Sequence, residues 1–395
     1  MAKVTDEMLL ELKIKLENGI KLSKDEKKIL KENDKEAQEK KKNMSFGERM
    51  KLASKSSYAQ LMGENEVDNY AVRDYIDTGC WLLNAQISAD PFKGLPSTRI
   101  WQLAGINSCG KTFIMRKTVS NAQKMGYFFV LIETEGANND KQELKEADID
   151  IENMLLVPSP TVEEMTTTVL NILDEVGKDD KVIIGIDSLG GLSTLKEMND
   201  LTEGSETADM TRAKKLRAAF RSMTLKAALK NVPIIPLNHT YAIIGGIGGR
   251  AIGGGDGSLF NSSIINEFTK AQEKNSTGTE TVGACITSTA TKCRTAREKS
   301  KISFSVSFDS GLLPESGLLE YCIKEKLFVK DGQSFKMNKD ILGEESFFKE
   351  DKITKGQLTR EFWKQFLDMY LANYLRKRFK YQSSADGIVD DIDEE

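Results

Sequence analysis

The stretch Gly105-Ile106-Asn107-Ser108-Cys109-Gly110-Lys111-Thr112 constrains the fold of this chain more than any other. It follows the apolar run Ile100-Trp101-Gln102-Leu103-Ala104 and opens onto Phe113-Ile114-Met115, a strand–loop–helix setting. The outer glycines permit a tight turn whose backbone N–H groups surround phosphate oxygens at a helix start. Lys111 is then placed for the β- and γ-phosphates of ATP, and the Thr112 hydroxyl for Mg²⁺. A glycine-rich run alone is a weak signal. All the fixed positions in the required context make nucleotide binding the expectation.

The flanking pattern extends this unit into a sheet. Strands are expected over 99–104, 127–132, 154–157, 181–186, 232–237, 281–289 and 301–308, with helices over 112–124, 162–176 and 209–229. Apolar strands alternating with helices of this length predict an α/β fold with a doubly wound, largely parallel sheet. Pro233 and Pro236 in one strand suit its ends or a sheet edge.

Three strand ends carry candidate chemistry. Val182-Ile183-Ile184-Gly185-Ile186 leads into Asp187, whose carboxylate would reach Mg²⁺ through water beside Thr112. Glu133 and Glu135 close the strand over 127–132, and either could deprotonate an attacking water. His239, the sole histidine, follows the strand over 232–237 and precedes a glycine-rich loop. A neutral imidazole there can donate to a phosphate oxygen and pass the change to the loop.

That loop holds seven glycines in the thirteen residues 243–255. Its freedom argues against a core strand, and its isoleucines argue against an inert linker. Ordering around an extended ligand satisfies both, with bare amides at Gly245, Gly246, Gly253 and Gly254 meeting phosphates. Apolar side chains such as Ile243 and Ile244 could insert between bases, or the loop from Tyr241 through Arg250 and beyond could simply be flexible surface. Arg212, Lys214, Lys215 and Arg217 put four positive charges within six residues of one helix, a face that attracts phosphate or simply stays solvated. The residues alone support an ATPase acting on DNA, RNA or protein.

Composition narrows the setting. Apolar content is 39%, enough for one substantial core with polar appendages. No run approaches the roughly 18 apolar residues that read as a membrane span, and no secretory h-region opens the chain. The five cysteines have no paired spacing, which predicts a reducing cytoplasm and no zinc site. Residues 1–43 hold twelve lysines and ten acids, a charged extension, and 386–395 hold six acids in ten residues, an acidic disordered tail.

Several motifs together resemble the RecA-like strand-exchange family, most closely the UvsX-type recombinases of large phages. They are Glu48-Arg49-Met50, Glu133-Thr134-Glu135, Ile186-Asp187-Ser188-Leu189-Gly190, Asp209-Met210-Thr211-Arg212-Ala213-Lys214, Asn238-His239-Thr240-Tyr241 and Gly253-Gly254-Gly255. The resemblance implies a helical homo-filament on single-stranded DNA, pairing with homologous double-stranded DNA, and ATP held between neighbouring protomers. It implies Glu135 as the catalytic carboxylate and His239 at a γ-phosphate switch where the wider family often has glutamine. DNA loops fall at 192–208 and 241–256, and Lys292 and Arg294 reach ATP on the adjacent protomer. A loading protein and a single-stranded-DNA-binding protein are implied partners, in the host cytoplasm if the gene is a phage's. The stretch 136–140 lacks the family's aromatic residue near adenine, the packing segment Ser56-Ser57-Tyr58-Ala59 is a loose match, and residues 1–43 lie outside the pattern.

With that resemblance, the expected organisation is a charged extension (1–43), a helical protomer-packing region (44–92), the RecA-like P-loop ATPase core (93–316), a small α+β C-terminal domain (317–382) and an acidic tail (383–395). Alternatives are a RecA-fold helicase, a filament-regulating paralogue, or a non-enzymatic nucleotide-gated assembly protein.

Overall fold

The computed structural model describes residues 8, 11–12, 14–15, 18, 20–56, 59–62, 71–136, 140–203, 211–242, 250–253, 259, 261–275, 277–342 and 352–381. Contacts divide the chain into two compact units, Met1–Ala71 and Val72–Glu395. In the first, helices α1 (Lys24–Asn43) and α2 (Phe46–Ser54) both begin with a capping box. Ser23 with Glu26, and Ser45 with Glu48, each satisfy backbone donors at the helix start reciprocally.

The second unit contains a ten-stranded mixed sheet. Chain order runs β1 (Tyr75–Ile76), α3 (Trp81–Ser88), β2 (Leu95–Pro96), β3 (Trp101–Gly105), α4 (Lys111–Lys124), β4 (Phe128–Glu133), α5 (Lys141–Glu146), β5 (Met154–Pro158), α6 (Val162–Glu175) and β6 (Val182–Asp187). It continues through α7 (Leu195–Thr202), α8 (Arg212–Leu229), β7 (Ile234–Ala242), β8 (Arg250–Ile252), β9 (Ile264–Lys274), β10 (Thr281–Cys293), β11 (Lys301–Ser307) and β12 (Gly311–Leu312). Spatial order is β12-β11-β10-β9-β3-β7-β6-β4-β5, with β8 beside β7; β1 and β2 pair separately. The strands from β9 to β5 run parallel, whereas β9 to β12 form antiparallel pairs.

This is the α/β architecture the sequence predicts, and burial explains it. Along β4, Phe129 and Leu131 enter one core with Trp101, Leu103, Ile114 and Val119, while Val130 and Ile132 enter a second with Val162, Val169, Leu216 and Phe220. Both sheet faces are covered, so the strands read as continuous apolar runs rather than alternating ones. Each such large side chain contributes about 1.5–3 kcal/mol when fully buried.

Of the two prolines expected near the ends or at an edge, Pro233 precedes β7, whereas Pro236 lies within it. β7 lies in the sheet interior, between β3 and β6, despite its proline. Its pairing with β6 ends at Pro236, and its pairing with β3 begins at Leu237. The proline therefore sits where the strand changes partner, so its missing N–H interrupts neither ladder midway.

The C-terminal part continues with α9 (Leu318–Lys324), the three-stranded sheet β13 (Phe328–Asp331), β14 (Ser334–Met337) and β15 (Ile353–Thr354), then α10 (Arg360–Phe366) and α11 (Ala372–Phe379). Phe328, Trp363 and Phe366 form an aromatic cluster continuous with the first core. The expected acidic tail lies outside the described residues. Among the described residues, no helix is long and apolar enough to cross a membrane.

Candidate active site

The parallel strands bring four candidate groups to one sheet edge. Gly105 ends β3 beside His239 on β7, and Glu133 ends β4 beside Asp187 on β6. Between β3 and α4, the loop turns through Ser108 at φ 57° and Gly110 at φ 97°. A side chain at Gly110 would bring its Cβ within 2.6 Å of Ile286 Cδ1, and one at Gly105 within 2.5 Å of Cys109 Sγ. The backbone oxygen of Phe268, 2.6 Å from a Cβ at Gly105, and the left-handed φ at Gly110 favour both glycines independently of any phosphate.

Lys111 is only 6% exposed, and its ammonium donates to the carbonyls of Gly105 (3.2 Å) and Ile106 (2.8 Å). Burial holds its pKa below the usual lysine range, against the opposing pull of Cys109, Asp187 and Glu135. An arriving phosphate would supply the negative charge that this desolvated ammonium favours.

Thr112 Oγ1 donates to Asp187 Oδ2 at 2.9 Å. Burial raises the Asp187 pKa, partly offset by the Thr112 bond, and the Glu135 charge raises it further. A hydroxyl and a carboxylate facing each other are hard oxygen donors of the kind Mg²⁺ takes. A carboxylate whose charged form is disfavoured by burial would be stabilised by such a cation, so the residues fit the metal.

Glu135 stands just beyond β4. Its Oε1 accepts hydrogen bonds from the Ser188 hydroxyl and from His239 Nε2, the latter at 3.0 Å. Burial pushes its pKa up, but the bonds from Ser188 and His239 outweigh burial and hold it below the usual glutamate range. Glu133 accepts the Glu135 backbone N–H at 2.9 Å and lines neither of the cavities that Glu135 faces. The two carboxylates, which the residues alone left open and the resemblance resolved toward Glu135, thus have different surroundings.

Close approach by the main chain frames this pair. A Cβ at Gly190 would lie 2.7 Å from His239 Cδ2, and one at Gly191 2.8 Å from Thr134 Oγ1. Glu135 faces two cavities. One, of about 700 Å³, is shared with Thr112, Arg116, Glu143 and Asp187; the other, of about 620 Å³, with Asn107, His239 and Tyr241. The first has the volume of a small-ligand pocket. Arg116, paired with Glu143 at 2.9 Å, is a lining residue that no sequence motif marked.

From His239 a bonded path leads into β8. Asn238 Oδ1 accepts the His239 N–H at 2.9 Å, and Asn238 Nδ2 donates to Gly253 O at 2.9 Å. Gly253 N–H donates back to His239 O at 2.8 Å. Tyr241 is exposed and pairs with Ala251. Ile243, Ile244, Gly245, Gly246 and Gly254, and the side chain of Arg250, lie outside the described residues, as does 204–210.

The basic helix face is less open than its charge suggests. Arg212 turns inward, donating to the carbonyls of Leu189 (2.6 Å) and Gly190 (2.8 Å), and Lys215 pairs with Glu163. Lys214 and Arg217 remain exposed.

Lys292 and Arg294 lie at the opposite sheet edge from the phosphate loop. Cys293 pairs with Ile264, which pairs with Trp101 at the start of β3, whereas the loop begins at its end, Gly105. Four residues of strand separate the two levels, about 13 Å. Lys292 Nζ donates to Leu259 O at 2.7 Å. Burial, then the Arg294 charge, lowers the pKa of Lys292 and likewise of nearby Arg99.

The RecA N-terminal domain family matches residues 45–313, well over half of the chain. The chain belongs to the RecA family. It is 32% identical over 224 residues to the recombination and repair protein of Enterobacteria phage T4, a match spanning 56% of each. Over 340 residues, 84% of this chain, it is 26% identical to Protein RecA of Borrelia duttonii (strain Ly), covering 87% of that protein. It is 25% identical over 288 residues to Protein RecA of Rhizobium leguminosarum bv. viciae, covering 72% and 78%. The family match contains the phosphate loop, Glu135, Asp187, His239, Lys292 and Arg294.

Proposed function

We propose that this RecA-family chain is a DNA-dependent ATPase of the phage strand-exchange kind, forming helical filaments on single-stranded DNA and pairing it with homologous duplex. The observation that carries the reading is the bonded sequence Ser188–Glu135–His239, with His239 joined through Asn238 to Gly253. It connects a carboxylate beside the phosphate loop to a strand flanking the glycine-rich segment. The phage relative's name, recombination and repair protein, supports the same direction. A loading protein and a single-stranded-DNA-binding protein are the partners this reading expects.

Each residue then has a physical task. The loop amides and Lys111 hold the phosphates of ATP, and the Lys111 charge stabilises negative charge developing at the transferred group. Thr112 and Asp187 would hold Mg²⁺, which when bound neutralises charge on the β- and γ-phosphates. Glu135, kept ionised by Ser188 and His239, accepts a proton from the attacking water. Lys292 and Arg294 serve ATP on a neighbouring copy, since their own phosphate loop lies across the sheet.

His239 is the switch in this account. Because the Glu135 carboxylate accepts, His239 Nε2 is the donor in this bond. That donor can bond Glu135 or a phosphate oxygen, one at a time, and its choice moves Asn238 and Gly253. His239→Ala should keep much of the ATP affinity but lose most of the nucleotide-dependent change in DNA affinity. His239→Gln should recover part of it through its amide donor. The test is DNA affinity with and without a nonhydrolysable ATP analogue, alongside ATP affinity without DNA. A full nucleotide-dependent difference in the alanine variant would remove His239 from the switch.

A further inference from the structure

The turn that follows Lys292 and carries Arg294 is gripped by α11 and the residues just after it. It joins β10 to β11 and is anchored from two sides. On one side, Thr295 Oγ1 donates to Ile87 O at 2.5 Å, and Gln86 Nε2 donates to Ser300 O at 2.9 Å. On the other, the Tyr381 hydroxyl donates to Cys293 O at 3.2 Å, and Arg297 N–H donates to Phe379 O at 2.6 Å. Cys293 is the residue between the two cations, so its carbonyl belongs to the peptide that leads into Arg294.

The gripping element is itself fixed. Phe379 stacks on Tyr321 with centroids 6.1 Å apart, and Arg376 pairs with Asp90 at 3.0 Å just beyond α3. Tyr381 is 52% exposed, so its contribution to the core is small, while its hydroxyl reaches the Cys293 carbonyl and the Glu298 backbone within the same turn.

We propose that Tyr381 is a positioning residue for Arg294, through which the C-terminal end of one protomer sets the rate of ATP hydrolysis on its neighbour. The inference rests on the reading that Lys292 and Arg294 act on ATP bound by another copy. A guanidinium stabilises a transition state only when held within a narrow range of positions, and the orientation of the 293–294 peptide decides where the Arg294 side chain starts. A buttress that acts only on the developing charge alters kcat and leaves substrate binding alone.

The test uses full-length Tyr381→Phe, Arg294→Ala and the double variant in DNA-stimulated ATP hydrolysis. Y381F should lower kcat by about threefold to tenfold, the worth of one neutral hydrogen bond, with KM for ATP and the melting temperature close to wild type. R294A should lower kcat further, and adding Y381F to it should change nothing more. Mixing Y381F with Lys111→Ala protein should restore part of the rate, because a K111A neighbour supplies an intact turn to the functional Y381F site. Normal kcat in Y381F with a slowed R294A would overturn the positioning role and leave the role of Arg294 standing. Normal kcat in R294A would overturn both. A lower kcat in Y381F that persists undiminished in the R294A background would also overturn the inference, since the hydroxyl would then act through something else.

Discussion

Glu135→Gln is expected to bind ATP nearly as well as the unaltered protein while DNA-stimulated hydrolysis falls by about a hundredfold to ten-thousandfold, the usual contribution of a positioned general base. The substitution preserves an acceptor for Ser188 and for His239 Nε2, so the local geometry should survive. What disappears is the proton acceptor. Single-turnover hydrolysis and ATP titration on the same preparation separate the two effects. A rate near normal would move the base to Glu133, yet that carboxylate is occupied by the Glu135 backbone N–H.

Lys111→Ala should act earlier, on phosphate binding itself. Losing a charged donor to phosphate costs about 1.5–3 kcal/mol, or about tenfold to 150-fold in ATP affinity. Because the ammonium also stabilises charge developing during hydrolysis, turnover should fall further even at saturating ATP. Its contacts in the structure are the carbonyls of Gly105 and Ile106, so the alanine variant also leaves two loop acceptors to be resolvated. Isothermal titration with a nonhydrolysable ATP analogue, followed by hydrolysis at saturation, checks both parts. Unchanged affinity would mean that the loop amides alone hold the phosphates.

The core was legible where local pattern and tertiary burial agree. The runs forming β3, β4 and β6 are apolar because helices cover both sheet faces, and the sequence shows that directly. β9 is not marked in the sequence because only its first part is buried, while Lys270, Gln272 and Lys274 are exposed and resemble a polar connection. Nothing local marks it as the strand beside β3.

The site shows the same division. The phosphate loop and Asp187 are contiguous motifs and were readable one strand at a time. The bond between Glu135 and His239 spans 104 residues and arises only when β4 and β7 reach the same edge. Arg212 looked like one of four interchangeable cations, yet its guanidinium is committed to the Leu189 and Gly190 carbonyls. Charge patterning counts cations; it cannot say which of them already has a partner.

The central claim is ATP-dependent exchange of DNA strands. It is tested most directly by mixing the purified full-length chain with circular single-stranded DNA and a linear duplex, then resolving joint molecules on a gel. The account predicts joint molecules with a homologous duplex and ATP, few with a heterologous duplex, and almost none with Lys111→Ala protein. If the unaltered chain binds the single strand and hydrolyses ATP yet forms no joint molecules with the homologous duplex, the strand-exchange reading is wrong.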